Sequence, residues 1–194
     1  MKPPSNHSRS LGALLVGLGL LTLHGLGNSS LNTILALVDD DPITIEDIAF
    51  DRQDWTEEAD CRAKYQEPDL TTHLKEVRLK TLNRLIEVRL IVQEFDREGL
   101  YFSDTQIDDR ADNVVQKEYG GSEDQFHADL AKRGETLEEY RTFLREQCIV
   151  QYMTTENVDK KAPSTDPAPH ELLRQAWIKS LRDKAYLWTS NSPP

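Results

Sequence analysis

One stretch, Thr71 to Gly99 (TTHLKEVRLKTLNRLIEVRLIVQEFDREG), carries a helical pattern with no Gly or Pro until Gly99 closes it. A helix of that length is roughly 40 Å long, so the remaining elements have to pack along it. At about 100° per residue, Leu74, Leu82, Leu85, Ile86 and Val92 fall on one face. From Val88 onward Leu90, Ile91 and Phe95 spread apolar cover around most of the circumference, which predicts that the second half is enclosed. Arg89 and Gln93 project from that apolar side and read as a snorkelling guanidinium and a hydrogen-bonded amide rather than as ligand groups. Gly99 is the expected C-terminal stop.

The chain of 194 residues opens on an address-like segment. Lys2 and Arg9 precede the apolar run LGALLVGLGLLTL (Leu11 to Leu23), which is shorter than the ~20 residues needed to span a bilayer. Residues 1–27 therefore read as an export signal, with Gly25-Leu26-Gly27 as a weak small-x-small cleavage site and no following Cys to carry a lipid. Cleavage and retention as an inner-membrane anchor both stay open. The formal net charge is −11, and segment 1–27 holds two basic and no acidic residues, so its removal leaves the remainder more acidic. Nucleic acid is excluded as a natural partner, because binding it calls for a basic face. Cys61 and Cys148 are too few for a disulfide framework, and Cys148 shares helical spacing with Tyr140, Leu144 and Tyr152, as a core thiol would. Whether the two are bridged is left open.

Taken in order, Ile34 to Val38 reads as a short strand and Asp39-Asp40-Asp41-Pro42 as a solvated turn rather than a cation loop, which needs alternating oxygen ligands and a distant Glu. Thr44 with Asp47 resembles a capping box, placing a first helix from Ile45. Asp51 to Asp69 is broken and highly charged, and is expected to be frayed helix and loop with Trp55 and Tyr65 as isolated aromatics. Three further capping boxes, Ser103 with Gln106, Ser122 with Gln125 and Thr136 with Glu139, announce helices over Ile107 to Tyr119, Asp124 to Arg133 and Leu137 to Asn157. Their inward positions are Ile107, Ala111, Val114 and Val115, then Phe126 and Leu130, then Leu137, Tyr140, Leu144 and Tyr152. Ala162 to Pro169 is a stiff Pro-rich connector. A last helix, His170 to Lys184, presents Leu173, Trp177 and Leu181, and Ala185 to Thr189 is a closing strand expected to pair with Ile34 to Val38.

No catalytic constellation is present. His73, His127 and His170 are scattered without metal-ligand spacing, no Cys-x-x-Cys occurs, and no Gly-rich loop follows a strand, so neither a metal nor another cofactor is expected. Acidic residues on the helices alternate with basic ones, as in Glu94, Asp96, Arg97 and Glu98, the pattern of a solvated face.

Three pieces together resemble a known family. They are ILALVDDDPITIEDI (Ile34 to Ile48), LNRLIEVRLIVQEFDREGLYFSDTQI (Leu82 to Ile107) and AWIKSLRDKAYLW (Ala176 to Trp188). In that order they are similar to the chaperone module of SurA-type periplasmic folding factors, relatives of the PrsA and PpiD peptidyl-prolyl isomerases. The resemblance implies a mainly α fold, a SurA N-terminal-like module around one long central helix, with a two-stranded pairing of its N- and C-terminal segments. It divides the chain into a signal (1–27), a helical core (28–161), a Pro-rich connector (162–169) and a closing helix and strand (170–194) of the same domain. Isomerase domains of the family stand where this chain has Ala162 to Pro169, too short for the ~50 residues of even a small domain, so no enzymatic activity is implied. What is implied is an exported bacterial, periplasmic holding chaperone that works without ATP on unfolded or partly folded polypeptides, outer-membrane or secreted clients among them. The alternative is a non-catalytic adaptor or membrane-anchored scaffold that docks one folded partner. The client groove is expected between the helical core and the closing helix, and Trp55, Tyr65 and Tyr101, which fall outside the predicted core faces, are the candidate client-binding residues. Oligomeric state is not legible.

Overall fold

The structure, a computed structural model, describes residues 33–49, 51–162 and 167–190. The signal-like segment 1–27 and residues 163–166 of the Pro-rich connector lie outside the described residues. In chain order the elements are β1 (Ile34–Val38), β2 (Asp41–Thr44), α1 (Ile45–Ala49), α2 (Arg52–Lys64), α3 (Asp69–Arg97), α4 (Asp104–Glu118), α5 (Glu123–Lys132), α6 (Leu137–Thr154), a π-helical turn (Thr155–Asp159), α7 (Pro167–Lys184) and β3 (Leu187–Thr189). The fold is mainly α around one long helix, as the sequence implies.

The two ends of the chain do pair, but within three strands rather than two, in the order β2-β1-β3 and antiparallel throughout. The turn expected over Asp39 to Pro42 is confined to Asp39 and Asp40, and Asp41 and Pro42 already belong to β2. Pro42 sits opposite Leu37, and β1 bonds outward to β3 through alternate residues: the Ser190 amide donates to the Leu35 carbonyl at 2.8 Å and the Asp39 amide to the Tyr186 carbonyl at 2.7 Å. Alternation then turns Ala36 and Val38 toward β2, so the donorless nitrogen of Pro42 lies on the free edge, where no ladder bond is lost. Asp39 takes the left-handed φ of 54° at the hairpin, and its Oδ1 accepts from the Tyr186 amide at 2.8 Å, tying the turn to the approach of β3.

α3 ends in a Schellman stop. The Leu100 amide donates to the Phe95 carbonyl and the Gly99 amide to the Asp96 carbonyl, with Gly99 at φ 69°, a conformation that favours glycine. Ahead of that stop Ile86, Val88, Leu90, Ile91 and Phe95 are all buried. Of these, Ile86, Leu90, Ile91 and Phe95 join Leu35, Ala36, Val38 and Ile43 of the sheet, Ile149 and Met153 of α6, and Ile178 and Leu181 of α7 in one apolar cluster. A second cluster unites α4, α5 and the first half of α6 through Ile107, Val115, Phe126, Leu130, Tyr140 and Leu144. Ser103 and Thr136 each form both halves of a capping box, whereas Ser122 accepts only the Gln125 amide.

Three expectations are corrected. Tyr152 is not an inward residue: it stands 38% exposed, edge-on to Phe95 and Phe102, and Met153 is the buried neighbour. Steps of four drift off a 3.6-residue period, and α6 changes partners midway, passing from the second cluster to the first. The second correction concerns the charged stretch after Asp51, where Arg52 to Lys64 is one helix rather than frayed helix and loop. α2 and the residue before it lie against α3 through charge: Glu58 accepts from Arg78 at 2.7 Å, Glu57 from Lys80 at 2.7 Å, and Asp51 from Arg84, while Arg62 of α2 itself also donates to Glu58 at 3.0 Å. Last, α7 begins at Pro167, not His170, since proline is well tolerated in a first helical turn. Cys61 on α2 and Cys148 on α6 are free thiols.

Candidate functional site

A cleft of about 630 Å³ opens where β2, α1, α2, α3 and α6 converge. Its apolar surfaces come from Trp55, Leu85, Phe143 and Pro42, and its charged ones from Glu46, Asp47, Asp51, Arg89, Arg133, Glu135, Glu139 and Glu146. Local chemistry sets most of these positions. The Thr44–Asp47 box, in which Asp47 Oδ2 accepts the Thr44 amide at 2.7 Å, fixes the turn from β2 into α1. Gly134, at φ 68°, forms the Schellman stop of α5, with the Glu135 amide bonded to the Leu130 carbonyl, and so delivers Glu135 and the start of α6 to the cleft rim.

Arg89 is the hub on one wall. Its guanidinium reaches Glu146 at 2.8 Å, Asp41 at 3.4 Å and Asp47 at 4.0 Å, so it is engaged by three carboxylates rather than merely snorkelling. Burial pushes the Glu146 carboxyl above the usual glutamate range, with a further push from Asp41 and Asp47, and Arg89 offsets only part of this. Gln93 behaves as a hydrogen-bonded amide, donating from Nε2 to the Val38 carbonyl at 2.9 Å, and its buried Oε1 has no hydrogen-bond partner among the described residues. On the opposite side Arg133 pairs with Asp129 at 2.6 Å and Glu135 at 3.4 Å. Glu139 caps α6 by accepting the Thr136 amide and hydroxyl, both at 2.7 Å, and those bonds hold its carboxyl below the usual range.

Of the three sequence candidates, Trp55 lines this cleft, 39% exposed, with its indole N–H donated to the Ala49 carbonyl. Tyr65 lies at the end of α2, its ring stacked on His73 at 3.8 Å. Tyr101 follows α3 and is 83% exposed. Tyr65 and Tyr101 thus stand near opposite ends of a helix about 40 Å long, and the structure does not bring the three together. Between the core and α7, where the groove is expected, Ile178 and Leu181 fill the contact, and an opening of about 550 Å³ beside the π turn is lined by Val158 and Pro167 together with Asp159, His170, Glu171 and Arg174. Sequence reasoning missed Phe143, Glu135 and Glu146, which lie far from Trp55 in the chain. Among the described residues no cluster of His, Cys, Asp and Glu fit to hold a metal is present, and no helix is long and apolar enough to cross a membrane.

Comparison with known proteins places this architecture. The family model of the SurA-like N-terminal domain matches residues 6–154. Chaperone SurA of Hahella chejuensis is 26% identical over 178 residues, 92% of this chain and 39% of that protein, and Chaperone SurA of Pseudoalteromonas translucida is 29% identical over 98 residues, 50% of this chain and 22% of that protein. The chain therefore spans well under half the length of these curated relatives. Among solved structures, one from the study of PEB4 and Cj1289, two SurA-like chaperones of Campylobacter jejuni, aligns over 79% of this chain and 51% of that one, at 21% identity and a TM-score of 0.39. With three-quarters of its length matched by the family model, the chain belongs to the SurA-like N-terminal domain family.

Proposed function

We propose that the protein is an exported bacterial holding chaperone, acting in the periplasm without ATP on unfolded or partly folded polypeptides, outer-membrane and secreted proteins among them. One observation carries the reading: a SurA-like N-terminal domain presents a cleft of about 630 Å³ whose apolar surfaces include the half-exposed Trp55. That volume is inside the roughly 300–1,000 Å³ typical of ligand pockets, and mixed apolar and charged walls suit a chain segment better than a small apolar ligand. Holding is proposed to need no chemistry, since it requires only that apolar client surface be masked while the charged exterior keeps the complex dispersed. The apolar run at the N-terminus supports export, whether it is removed or kept as an inner-membrane anchor.

The test is suppression of aggregation of an unfolded outer-membrane β-barrel protein at near-stoichiometric ratio without nucleotide. The proposal expects suppression by the intact protein, weakened by Trp55→Ser with the melting temperature little changed. A proline-limited refolding assay in parallel should show no catalysed phase, because the uncatalysed step takes tens of seconds or more and exposes even modest catalysis. Failure to bind any unfolded chain, with tight capture of one folded partner instead, would replace this reading by the adaptor one.

A further inference from the structure

We propose that, within its clients, the cleft selects short apolar segments flanked by Lys or Arg; this rests on the holding-chaperone reading above. The lining combines an aromatic and aliphatic floor, Trp55, Leu85 and Phe143, with six carboxylates against two guanidinium groups. Those two cations are already committed inside the protein. Arg89 is shared by Glu146, Asp41 and Asp47, and Arg133 divides itself between Glu135 and Asp129. Glu139 is held by the neutral amide and hydroxyl of Thr136, which keep it ionised without cancelling its charge. Asp51 is answered by Arg84 from outside the lining, and the cleft still holds more carboxylates than cations beside its apolar residues. A segment bringing ammonium or guanidinium groups beside an apolar residue satisfies both surfaces at once, whereas one flanked by carboxylates meets like charge at the rim. The net charge of −11 steers cationic segments inward and works against a second copy of this chain as the occupant.

Two dye-labelled peptides with the same Leu-Phe-Leu centre, one flanked by paired lysines and the other by paired glutamates, test this on the full chain by fluorescence anisotropy. The lysine peptide is expected to bind at least ten-fold more tightly at about 20 mM salt, with most of that preference gone by about 0.5 M, where charges are screened within a few ångströms. Glu135→Gln with Glu139→Gln should remove most of the preference; glutamine at position 139 still caps α6, and a melting curve verifies the fold. A matched pair at the far end of α3, Asp96→Asn with Glu98→Gln, should leave the preference intact. Equal binding of the two peptides, or equal loss in both double variants, overturns the inference, the second by reducing it to net charge alone. Dimerisation in sedimentation that competes with the peptide would also overturn it, by seating a second copy in the cleft. If the aggregation assay shows holding while the peptides show no preference, only this inference fails; if neither peptide binds and aggregation proceeds, the functional reading fails with it.

Discussion

The two halves of α3 are held by different physics. The first half meets α2 and the residue before it through Glu57, Glu58 and Asp51 reaching Lys80, Arg78 and Arg84, over a surface with little apolar content. The second half is buried on nearly every side by the sheet, α6 and α7. Exposed ion pairs contribute roughly 0–1 kcal/mol each and weaken with salt. A buried aliphatic side chain contributes several-fold more, and does so independently of salt. One rigid rod thus couples a firmly fixed end to a loosely fixed one, and the cleft begins where the two regimes meet, at Asp51, Trp55, Leu85 and Arg89.

Substitution and truncation measure the contrast. Ile86→Ala, at a site 1% exposed, should cost about 2–5 kcal/mol and lower Tm by roughly 5–15 °C in a thermal melt, with no response to salt. Ending the chain after Lys184 removes β3, whose Leu187 packs on the same cluster, and should lower Tm by several degrees; an unchanged melt would mean the sheet adds nothing to the firm end. Arg78→Ala should cost less than about 1 kcal/mol. Its difference from the native protein should vanish near 0.5 M salt, and hydrogen exchange should show faster opening of α2 than of Leu82 to Phe95. A loss as large as that of Ile86→Ala would erase the distinction.

The smallest effect sits at the junction. Burial raises the Glu146 carboxyl, so its folded value lies above the unfolded one of about 4.3. A raised acid contributes its stability fully below the unfolded value and loses it as pH rises through the folded value. Glu146→Gln should therefore gain stability relative to the native protein as pH rises from about 4 through the folded value, read as a widening Tm difference. Glu94 runs the other way: the Lys184 hydrogen bond, aided by Arg97 and opposed by burial, holds it low, so its contribution is present above the ordinary range and lost as pH falls through the folded value. A Glu94→Gln variant should converge with the native protein in acid.

The firm end was readable from the residues because apolar spacing reports burial directly: Leu82, Ile86, Leu90, Ile91 and Phe95 follow it. Caps were readable because Ser103 with Gln106 and Thr136 with Glu139 are local chemistry, settled within four residues. α2 was not, since a helix docked by ion pairs has no apolar stripe to betray it. β2 was hidden by Pro42, whose tolerance depends on which way a partner strand bonds. The cleft was the least legible part. Trp55 stood out as an isolated aromatic, but Leu85, Phe143 and Glu146 come together only through the packing of α3 against α6, which no local pattern encodes.

The sheet also sets the terms on which the chain closes upon itself. Ala36 pairs with Thr189 and Val38 with Leu187, so β3 completes a sheet that β1 opened almost a whole chain earlier. Joining ends so distant is slow to achieve, because the closure entropy comes due before the contact forms. Yet that entropy grows only logarithmically with the intervening length, by about 0.6 kcal/mol for each doubling. Lengthening the passage between α6 and α7 by as much as the whole intervening chain would cost less than one buried methylene, about 0.8 kcal/mol. The seam between first and last strand is thus nearly indifferent to what lies between them, and a module fastened in this way can host an insertion without loosening its core.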